Sequence, residues 1–509
     1  MKKFIRALFL FSFCIPLLLP AQQTFELSYH NSVYSRFGDV TWLRNDAVAC
    51  IMSANDPPLG AYVESINAFS PAGQLLWKRT YPGTPNEAFT FEHLRPTPDG
   101  GLIVAGYATN PVTGNFYDPF LLKTDSLGQA QWSKIYAGPH NENNIGNIRP
   151  THDGGYIVCG ITYSNQNNYW YYLLKTDSAG NREWGKLYHH ISPTKLYLDD
   201  VYEDENGDYY CTGSFADTIA VMKVSHTGVF RWLQRVGIQN FSFALPRSLA
   251  PSHTPGAFLC TGKAVNGTFV FEMDTLGGVN WTKTYNNIMA EDLTGAPGGY
   301  AIAGNALSLD GALMIIDNTG QVTWNRYYPS SKRLVAIDTL RSGKGYAACG
   351  THPGSQGPDY GYLLRTDSTG KIYCNELTQS ITASPATITI DTLVMIESNY
   401  FSAGAYDVIA QNVTMYDSLL CTGTVSIAEN NSESALQVRP VPAGDQLFIE
   451  LPGESQWNIQ LIDALGKTAL SKTLRGKTHT LSTGELPRGI YLLRAEGGDT
   501  ALTKKIILR

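Results

Sequence analysis

One pattern of apolar and polar positions recurs along most of the chain. An Asp-Gly-Gly turn leads into an apolar stretch such as Tyr156-Ile-Val-Cys-Gly160. A Leu-Leu-Lys-Thr stretch, an Asp-Ser-x-Gly turn and a Trp-x-Lys-x-Tyr stretch follow. The last glycine and the tryptophan lie four residues apart in six copies, and successive tryptophans are 55, 52, 48, 49 and 43 residues apart: Gly73/Trp77, Gly128/Trp132, Gly180/Trp184, Gly228/Trp232, Gly277/Trp281 and Gly320/Trp324.

This pattern predicts four short strands in each copy. Alternating apolar positions bounded by Gly and Asp turns are typical of strands joined by hairpins. Repeats of about 40–50 residues with four strands each indicate a β-propeller. A seventh copy has Gly370 but carries Cys374 at the tryptophan position. We therefore predict an all-β chain with a seven-bladed propeller over residues 22–376.

The first strand of the mature chain is predicted to close the ring. The seventh copy lacks both aromatic residues in its own last strand, whereas Phe25 and Tyr29 have the same spacing as Trp132 and Tyr136. The segment Thr24 to Tyr29 would then supply the outer strand of the last blade. Closure of this kind removes an exposed sheet edge.

The repeat resembles that of secreted bacterial propellers with Asp-Gly-Gly-Tyr and Leu-x-Lys-x-Asp-x-x-Gly motifs. The resemblance covers residues 24 to about 376 and concerns architecture. It implies little about function, because propellers host many activities.

The N-terminus has the pattern of a secretory signal peptide. Lys2, Lys3 and Arg6 precede an uncharged apolar run from Ala7 to Leu19. That run is shorter than the roughly 20 residues of a membrane-spanning helix. We predict a signal peptide over residues 1–21, cleaved between Ala21 and Gln22.

The repeat ends before residue 377, and two further regions follow. Residues 377–434 are predicted to form a β-rich connecting segment and a polar linker. Residues 435–509 contain short alternating strands separated by Gly and Pro turns, which favours a small Ig-like β-sandwich.

This last region resembles the type A C-terminal sorting domain of the type IX secretion system. The features that match it are Pro440, Pro442, Gly466, Leu486, Gly489, Ile490, Tyr491, Lys504 and Lys505. The resemblance implies recognition by the type IX secretion machinery and export through the periplasm and outer membrane. It also implies removal of the domain, followed by release or by attachment to surface lipopolysaccharide. The alternative is an ordinary Ig-like binding module.

The charge pattern argues against a nucleic-acid partner. The formal net charge is −6, and charged residues make up 16% of the chain. Nucleic-acid binding needs clustered Lys and Arg to neutralise phosphates, and the sequence has no such cluster.

The cysteines predict one candidate disulfide. Cys159, Cys211, Cys260 and Cys349 occupy the same strand of different blades, which is unfavourable for pairing. Cys374 and Cys421 flank the connecting segment, and an oxidising compartment permits a bridge between them. Buried free thiols are expected for the other four.

No motif assigns catalytic, cofactor-binding or metal-binding residues, and no cofactor is expected. The sequence has no Cys-x-x-Cys, His-Glu-x-x-His or Gly-x-Ser-x-Gly motif. The aromatic run Tyr169, Trp170 and Tyr171 is a candidate ligand contact, because an exposed aromatic cluster can stack on sugar rings or contact a protein. Packing between blades is the alternative for at least part of it.

These observations favour a secreted or cell-surface protein that binds or adheres to a glycan or protein through a propeller face. The first alternative is a glycan-active hydrolase or lyase, which a carboxylate cluster at the mouth of the central channel would favour. The second is a structural surface protein.

Overall fold

The structure is a computed structural model, and its chain divides into two units, residues 1–425 and 426–509. It describes residues 23–508 apart from 31–33, 57–60, 82–88, 110–116, 138–141, 165–167, 193–194, 240–243, 266, 354–358, 375, 400–401, 406–415, 425–436, 440–444, 452–455, 464–467 and 498–499. None of the helices within these described ranges has the length and apolar character needed to cross a membrane.

The first unit is built from repeated four-stranded antiparallel sheets. Strand β1 spans Gln23–His30 and belongs to the last blade. Blade 1 contains β2–β5, which span Ser35–Trp42, Val48–Asp56, Ala61–Phe69 and Leu75–Tyr81, with one 3₁₀ turn at Arg44–Asp46. Blade 2 contains β6–β9, which span Phe89–Pro96, Leu102–Ala108, Asp118–Thr124 and Ala130–Ala137. Blade 3 contains β10–β13, which span Glu142–Pro150, Tyr156–Ser164, Asn168–Thr176 and Arg182–His189.

Four more blades complete the ring. Blade 4 contains β14–β17, at Leu196–Glu203, Tyr209–Phe215, Thr218–Val224 and Phe230–Ile238. Blade 5 contains β18–β21, at Ala244–Pro251, Ala257–Ala264, Gly267–Asp274 and Val279–Asn286. Blade 6 contains β22–β25, at Ile288–Ala296, Gly299–Ala306, Gly311–Asp317 and Val322–Tyr328. Blade 7 contains β26–β28, at Arg333–Thr339, Tyr346–His352 and Tyr360–Arg365, and takes β1 as its fourth strand.

The seven-bladed propeller is thus confirmed, and its ring closes as the sequence predicts. β1 pairs antiparallel with β28, and Phe25 lies opposite Arg365. The first strands of the blades contact one another in a closed circle, from β2 through β6, β10, β14, β18 and β22 to β26 and back to β2. The apolar core is divided into clusters, one at each junction between neighbouring blades.

The described parts of residues 377–424 lie around the outside of the ring, and we call them the belt. Leu377 exchanges two backbone hydrogen bonds with Tyr327 of blade 6, at 2.8 and 2.9 Å. The belt strands β29–β33 then span Ala383–Pro385, Ile388–Leu393, Ile396–Asn399, Ser402–Ala405 and Tyr416–Thr424. They pair antiparallel with the outer strands of blades 5, 4, 3, 2 and 7, in that order. The belt therefore runs around the ring in the direction opposite to the blades.

The second unit is the small Ig-like sandwich. Its strands β34–β40 span Gln437–Arg439, Gln446–Glu450, Gln456–Asp463, Thr468–Arg475, Thr478–Ser482, Gly489–Gly497 and Thr500–Leu508. They form one sheet with the order β34-β35-β38 and another with the order β37-β36-β39-β40. Trp457, Leu461 and Leu493 belong to a single apolar cluster within this unit.

Candidate functional site

A β-bulge in the first strand of every blade shapes the channel mouth. In β14, for example, the register with β15 shifts between Leu198 and Asp200, so that Asp199 is the extra residue. A bulge re-aims the extra side chain away from the regular ladder. The extra residues in the seven blades are Gly38, Glu92, Gly146, Asp199, Arg247, Glu291 and Val335.

Six of these seven bulge residues line one cavity, which we call the channel-mouth pocket. Its volume is about 360 Å³, within the range of small-molecule sites. The pocket lies near the start of the first strands, at the end of the ring opposite the Asp-Gly-Gly turns. Its lining residues are Gly38, Asp39, His93, Arg95, Asn144, Ile145, Gly146, Asn147, Ile161, Tyr197, Leu198, Asp199, Arg247, Glu291, Asp292, Val335 and Ala336.

Several carboxylates that face the channel are already bonded within the fold. They accept hydrogen bonds from backbone N–H groups next to the bulges. Asp200 accepts from the backbone N–H of Val201 in its own blade and of Leu249 in the next, both at 2.8 Å. Asp39 does the same for Val40 and Leu94, at 2.8 and 3.0 Å. Asp292 repeats the arrangement between blades 6 and 7.

Side chains complete this polar ring at the remaining junctions. Arg95 donates to Asp39 at 2.6 Å and to Asn147 at 2.9 Å, and Asn147 donates to Asp200 at 2.7 Å. The Ser248 hydroxyl donates to the Leu293 carbonyl of blade 6, at 3.4 Å. Thr41 donates to Asp338 at 2.8 Å, which links blade 1 to blade 7. Every blade junction is therefore bridged by polar contacts around the channel.

Asp199 and Arg247 differ from the ring residues, because neither side chain makes a hydrogen bond within the described part of the chain. The Arg247 Nη1 atom lies 3.5 Å from Asp199 Oδ1, and its Nε atom lies 3.6 Å from Glu291 Oε2. Both distances exceed those of a hydrogen bond. The Arg247 Nε atom is buried without an acceptor. The Arg247 side chain is 33% exposed and the Asp199 side chain is 24% exposed. Both present unused hydrogen-bond donors or acceptors to the pocket.

The pocket carboxyls differ in pKa because their electrostatic surroundings differ. Burial raises the pKa of Asp199 to about 7, with Arg247 opposing the rise and Asp200 adding to it. Burial also acts to raise the pKa of Asp39, but Arg95 and His93 outweigh it and hold that pKa at about 2. Asp199 therefore exchanges its proton near neutral pH, whereas Asp39 stays ionised.

A tyrosine cluster forms one wall of the pocket. Tyr197 lines the pocket and is 41% exposed. Its ring centroid lies 5.5 Å from that of Tyr169, which in turn lies 5.0 Å from that of Tyr163. Such packing holds the Tyr197 ring in place beside Asp199.

The three aromatic residues singled out in the sequence have different environments. Tyr169 packs against Tyr197, and Trp170 stacks on His189 with centroids 4.5 Å apart. Tyr171 is fully buried, and its hydroxyl donates to the Ser214 carbonyl at 2.7 Å. Tyr171 is therefore inaccessible to a ligand, whereas Tyr169 and Trp170 remain candidates.

The cysteines fall into two groups. Cys50, Cys159, Cys211, Cys260 and Cys349 are buried free thiols, and burial raises the pKa of each well above its usual range or, for Cys260, to about 12. Cys374 is disulfide-bonded. Cys421 belongs to β33 opposite Glu26, and its side chain lies outside the described part of the chain.

The predicted sorting-domain residues lie on the sandwich where the structure describes them. Gly489, Ile490 and Tyr491 begin β39, and Lys504 and Lys505 belong to β40. Tyr491 is buried, and its hydroxyl donates to the Pro487 carbonyl at 2.8 Å. Leu486 packs against the core of this unit. Pro440, Pro442 and Gly466 lie outside the described residues, as do Ala21 and Gln22.

Sequence reasoning missed Asp199 and Arg247, although a signal marks their positions. Shortly before the first turn, three copies have an Asp followed by an apolar residue, at Asp39-Val40, Asp200-Val201 and Asp292-Leu293, and the copy with Arg247 has Ser248-Leu249 there. The bulge residue directly precedes that pair. Charged residues at this position, such as Asp199, Arg247 and Glu291, are thereby placed around the channel.

Comparison with known proteins identifies the C-terminal unit. Residues 437–509 match the family model of the secretion system C-terminal sorting domain. Proteins with this domain are exported by type IX secretion to the cell surface or extracellular space, so the chain is an exported β-propeller protein. A search of curated proteins found no match.

Solved structures similar to this chain include two proteins of unknown function and the Dos1 propeller. A protein of unknown function from Bacteroides caccae has 13% identity and a TM-score of 0.37, over 60% of this chain and 95% of that one. The Dos1 propeller has 11% identity and a TM-score of 0.41, over 67% and 95%. A protein of unknown function from Dyadobacter fermentans has 11% identity and a TM-score of 0.37, over 68% and 99%. Similarities at this level say nothing about function.

Proposed function

We propose that this protein binds a ligand outside the cell through the channel-mouth pocket of its propeller. The observation that carries the proposal is the pair formed by Arg247 and Asp199. Both are charged side chains in a cavity, and both lack hydrogen bonds in the described chain. The nearest opposite charges of this pair lie at 3.5 and 3.6 Å, beyond good hydrogen-bond distance, and a ligand would supply the hydrogen bonds that the pair lacks.

Cleavage of a glycan by a hydrolase or lyase reaction is the second candidate function, and Asp199 favours it. A carboxyl with a pKa near 7 can donate a proton at neutral pH. Glycoside hydrolysis also needs a second available carboxylate. The neighbouring Asp39 and Asp292 are already bonded to backbone N–H groups of two blades. Binding without turnover therefore ranks first.

The export route completes the proposal. A signal peptide over residues 1–21 directs the chain to the periplasm, with cleavage between Ala21 and Gln22. The sorting domain engages the type IX machinery and is then removed. The propeller with its belt is released or is attached to surface lipopolysaccharide.

The test uses residues 22–509, the chain without its signal peptide and before the sorting domain is removed, which we call the exported chain. It is applied to immobilised polysaccharides and extracellular-matrix proteins. Arg247→Ala removes the unbonded guanidinium, and Arg231→Ala is the matched control, because Arg231 is exposed on outer strand β17. We expect saturable retention on at least one surface, lost in Arg247→Ala and kept in Arg231→Ala.

Two results would overturn this proposal. Retention that is equal in Arg247→Ala and the unmodified chain would place binding elsewhere on the molecule. Release of shortened oligosaccharides, seen by mass spectrometry and abolished in Asp199→Asn, would replace binding with hydrolysis or lysis.

A further inference from the structure

We infer that the channel-mouth pocket takes an uncharged sugar ring, held by Arg247 and Asp199 and stacked on Tyr197. This inference rests on the proposed function and names the ligand class of the same site. Three features of the pocket support it, namely its balanced charge, its unused hydrogen-bonding groups and its aromatic wall.

The charges around Arg247 already balance. Arg247 lies between the carboxyls of Asp199 and Glu291, at 3.5 and 3.6 Å. Lys263 pairs with the same Glu291. Arg95 pairs with Asp39 in the same pocket, and burial raises the pKa of Asp199 to about 7 and also raises the pKa of Asp292. Cations and ionised carboxyls therefore nearly balance around the pocket, and a charged ligand of either sign would meet a like charge beside its partner. A neutral ligand avoids that cost.

The unused hydrogen-bonding groups of Arg247 and Asp199 suit a ligand that carries hydroxyls rather than an apolar ligand. Arg247 offers N–H donors in a planar fork, and Asp199 offers carboxyl oxygens beside it. A hydroxyl both donates and accepts, so two neighbouring hydroxyls of one ring can bond the arginine and the carboxyl together. Asn144 lines the same pocket and adds an amide that can do both.

The aromatic wall suits the C–H face of a sugar. Tyr197 is 41% exposed and lines the pocket beside Asp199. The Tyr169 ring packs against it with centroids 5.5 Å apart and planes inclined by 32°. A ring held in this way presents an apolar face at little cost in side-chain entropy.

The experiment compares polysaccharides of different charge on the exported chain. Galactomannan and xylan are the neutral probes, polygalacturonate is the acidic probe and chitosan is the basic probe. Retention is measured for the unmodified chain and for Arg247→Ala, Tyr197→Ala, Tyr197→Phe and Arg231→Ala. The melting temperature of each variant shows whether it is folded.

We expect retention on a neutral probe, weakened about tenfold or more in Arg247→Ala and Tyr197→Ala. Tyr197→Phe keeps the ring and should bind within about twofold of the unmodified chain, as should Arg231→Ala. Equal losses in Tyr197→Phe and Tyr197→Ala would contradict stacking.

The remaining outcomes separate the ligand class from the proposed function. Arg247-dependent retention on a charged polysaccharide alone, or on a matrix protein alone, would overturn the uncharged sugar and leave the pocket as a binding site. Retention on neutral probes that does not depend on Arg247 would overturn both. If the chain is retained on no polysaccharide, the proposal that the pocket binds a sugar ring is wrong. Retention on the immobilised matrix proteins would then test the proposed function.

Discussion

The aromatic residues of the repeat act across blade junctions. Trp132 of blade 2 covers Gly180 of blade 3, and a methyl group added at Gly180 would lie 2.6 Å from the indole. Tyr136 donates its hydroxyl to the carbonyl of the same glycine at 2.7 Å. The same tyrosine bond recurs at four other junctions, which explains why glycine, tryptophan and tyrosine keep their spacing.

Substitution of Gly180 should therefore be costly. Its φ is +74°, in the left-handed region, and the new methyl group would clash with Trp132. We expect Gly180→Ala to lower the free energy of unfolding by roughly 2–4 kcal/mol. The matched control is Gly154→Ala, where φ is +84° but no atom lies within 4 Å. Urea denaturation should show a loss of only about 1–2 kcal/mol there, and equal losses at both sites would contradict the packing role.

Glu64 should make stability depend on pH. Burial raises its pKa from 4.5 to about 8, although Ser53 donates a hydrogen bond to it. The folded state then binds a proton more tightly than the unfolded state. Stability from this group is complete below pH 4.5 and is lost as pH rises through about 8.

The variant Glu64→Gln isolates this effect. The unmodified chain should lose several kcal/mol, of the order of 3–5, relative to Glu64→Gln between pH 5 and pH 9. Denaturation at both pH values gives the comparison. An identical pH dependence in the two proteins would show that Glu64 does not titrate in this range.

At the scale of elements, the closing strand is fixed from both sides. β1 pairs with β28 on one edge and with belt strand β33 on the other. The buried Glu26 of β1 pairs with Lys332 and accepts a hydrogen bond from the Tyr362 hydroxyl at 3.0 Å. The chain's first strand is therefore held in the interior of a five-stranded sheet.

Breaking the Glu26–Lys332 pair should weaken closure. Lys332→Met leaves a buried carboxylate without its cation, and we expect a loss of about 3–5 kcal/mol in the free energy of unfolding. The double variant Glu26→Gln/Lys332→Met removes that charge and keeps an acceptor for Tyr362, so most of the stability should return. If the double variant is as unstable as the sum of the single variants, the two residues are not coupled.

Two cysteines near the ends of the belt predict that a disulfide closes it. Cys374 is disulfide-bonded and directly precedes the belt, and Cys421 lies in its last strand. We predict a Cys374–Cys421 disulfide, which would make the belt a closed loop around the propeller. Non-reducing peptide mapping of the exported chain should find the two cysteines in one linked peptide. Recovery of a Cys421 peptide with a free thiol would contradict it.

At the scale of the whole molecule, the repeat made the propeller predictable. Four strands per copy follow from alternation and turns, and the spacing of Phe25 and Tyr29 marks β1 as the missing strand. In the structure Phe25 covers Gly73, as the tryptophans cover their glycines. The sorting domain was predictable from its motif order.

The belt and the pocket could not be derived in the same way. Belt strands bind through backbone hydrogen bonds, and exposed residues such as Val394 and Ile396 carry no signal for their partner blade. Asp199 and Arg247 come from different blades, and only the bulge geometry brings them together. Which channel carboxylates are used by the fold also depends on contacts between blades.

The central claim is that a ligand binds at the channel mouth, and hydrogen–deuterium exchange tests it most directly. The exported chain is compared with and without the polysaccharide on which it is retained most strongly. We predict slower exchange in β14 and β18, which carry Asp199 and Arg247, and no change at the Asp-Gly-Gly turns at the opposite end of the ring. Protection confined to those turns, or to the belt, would contradict the account.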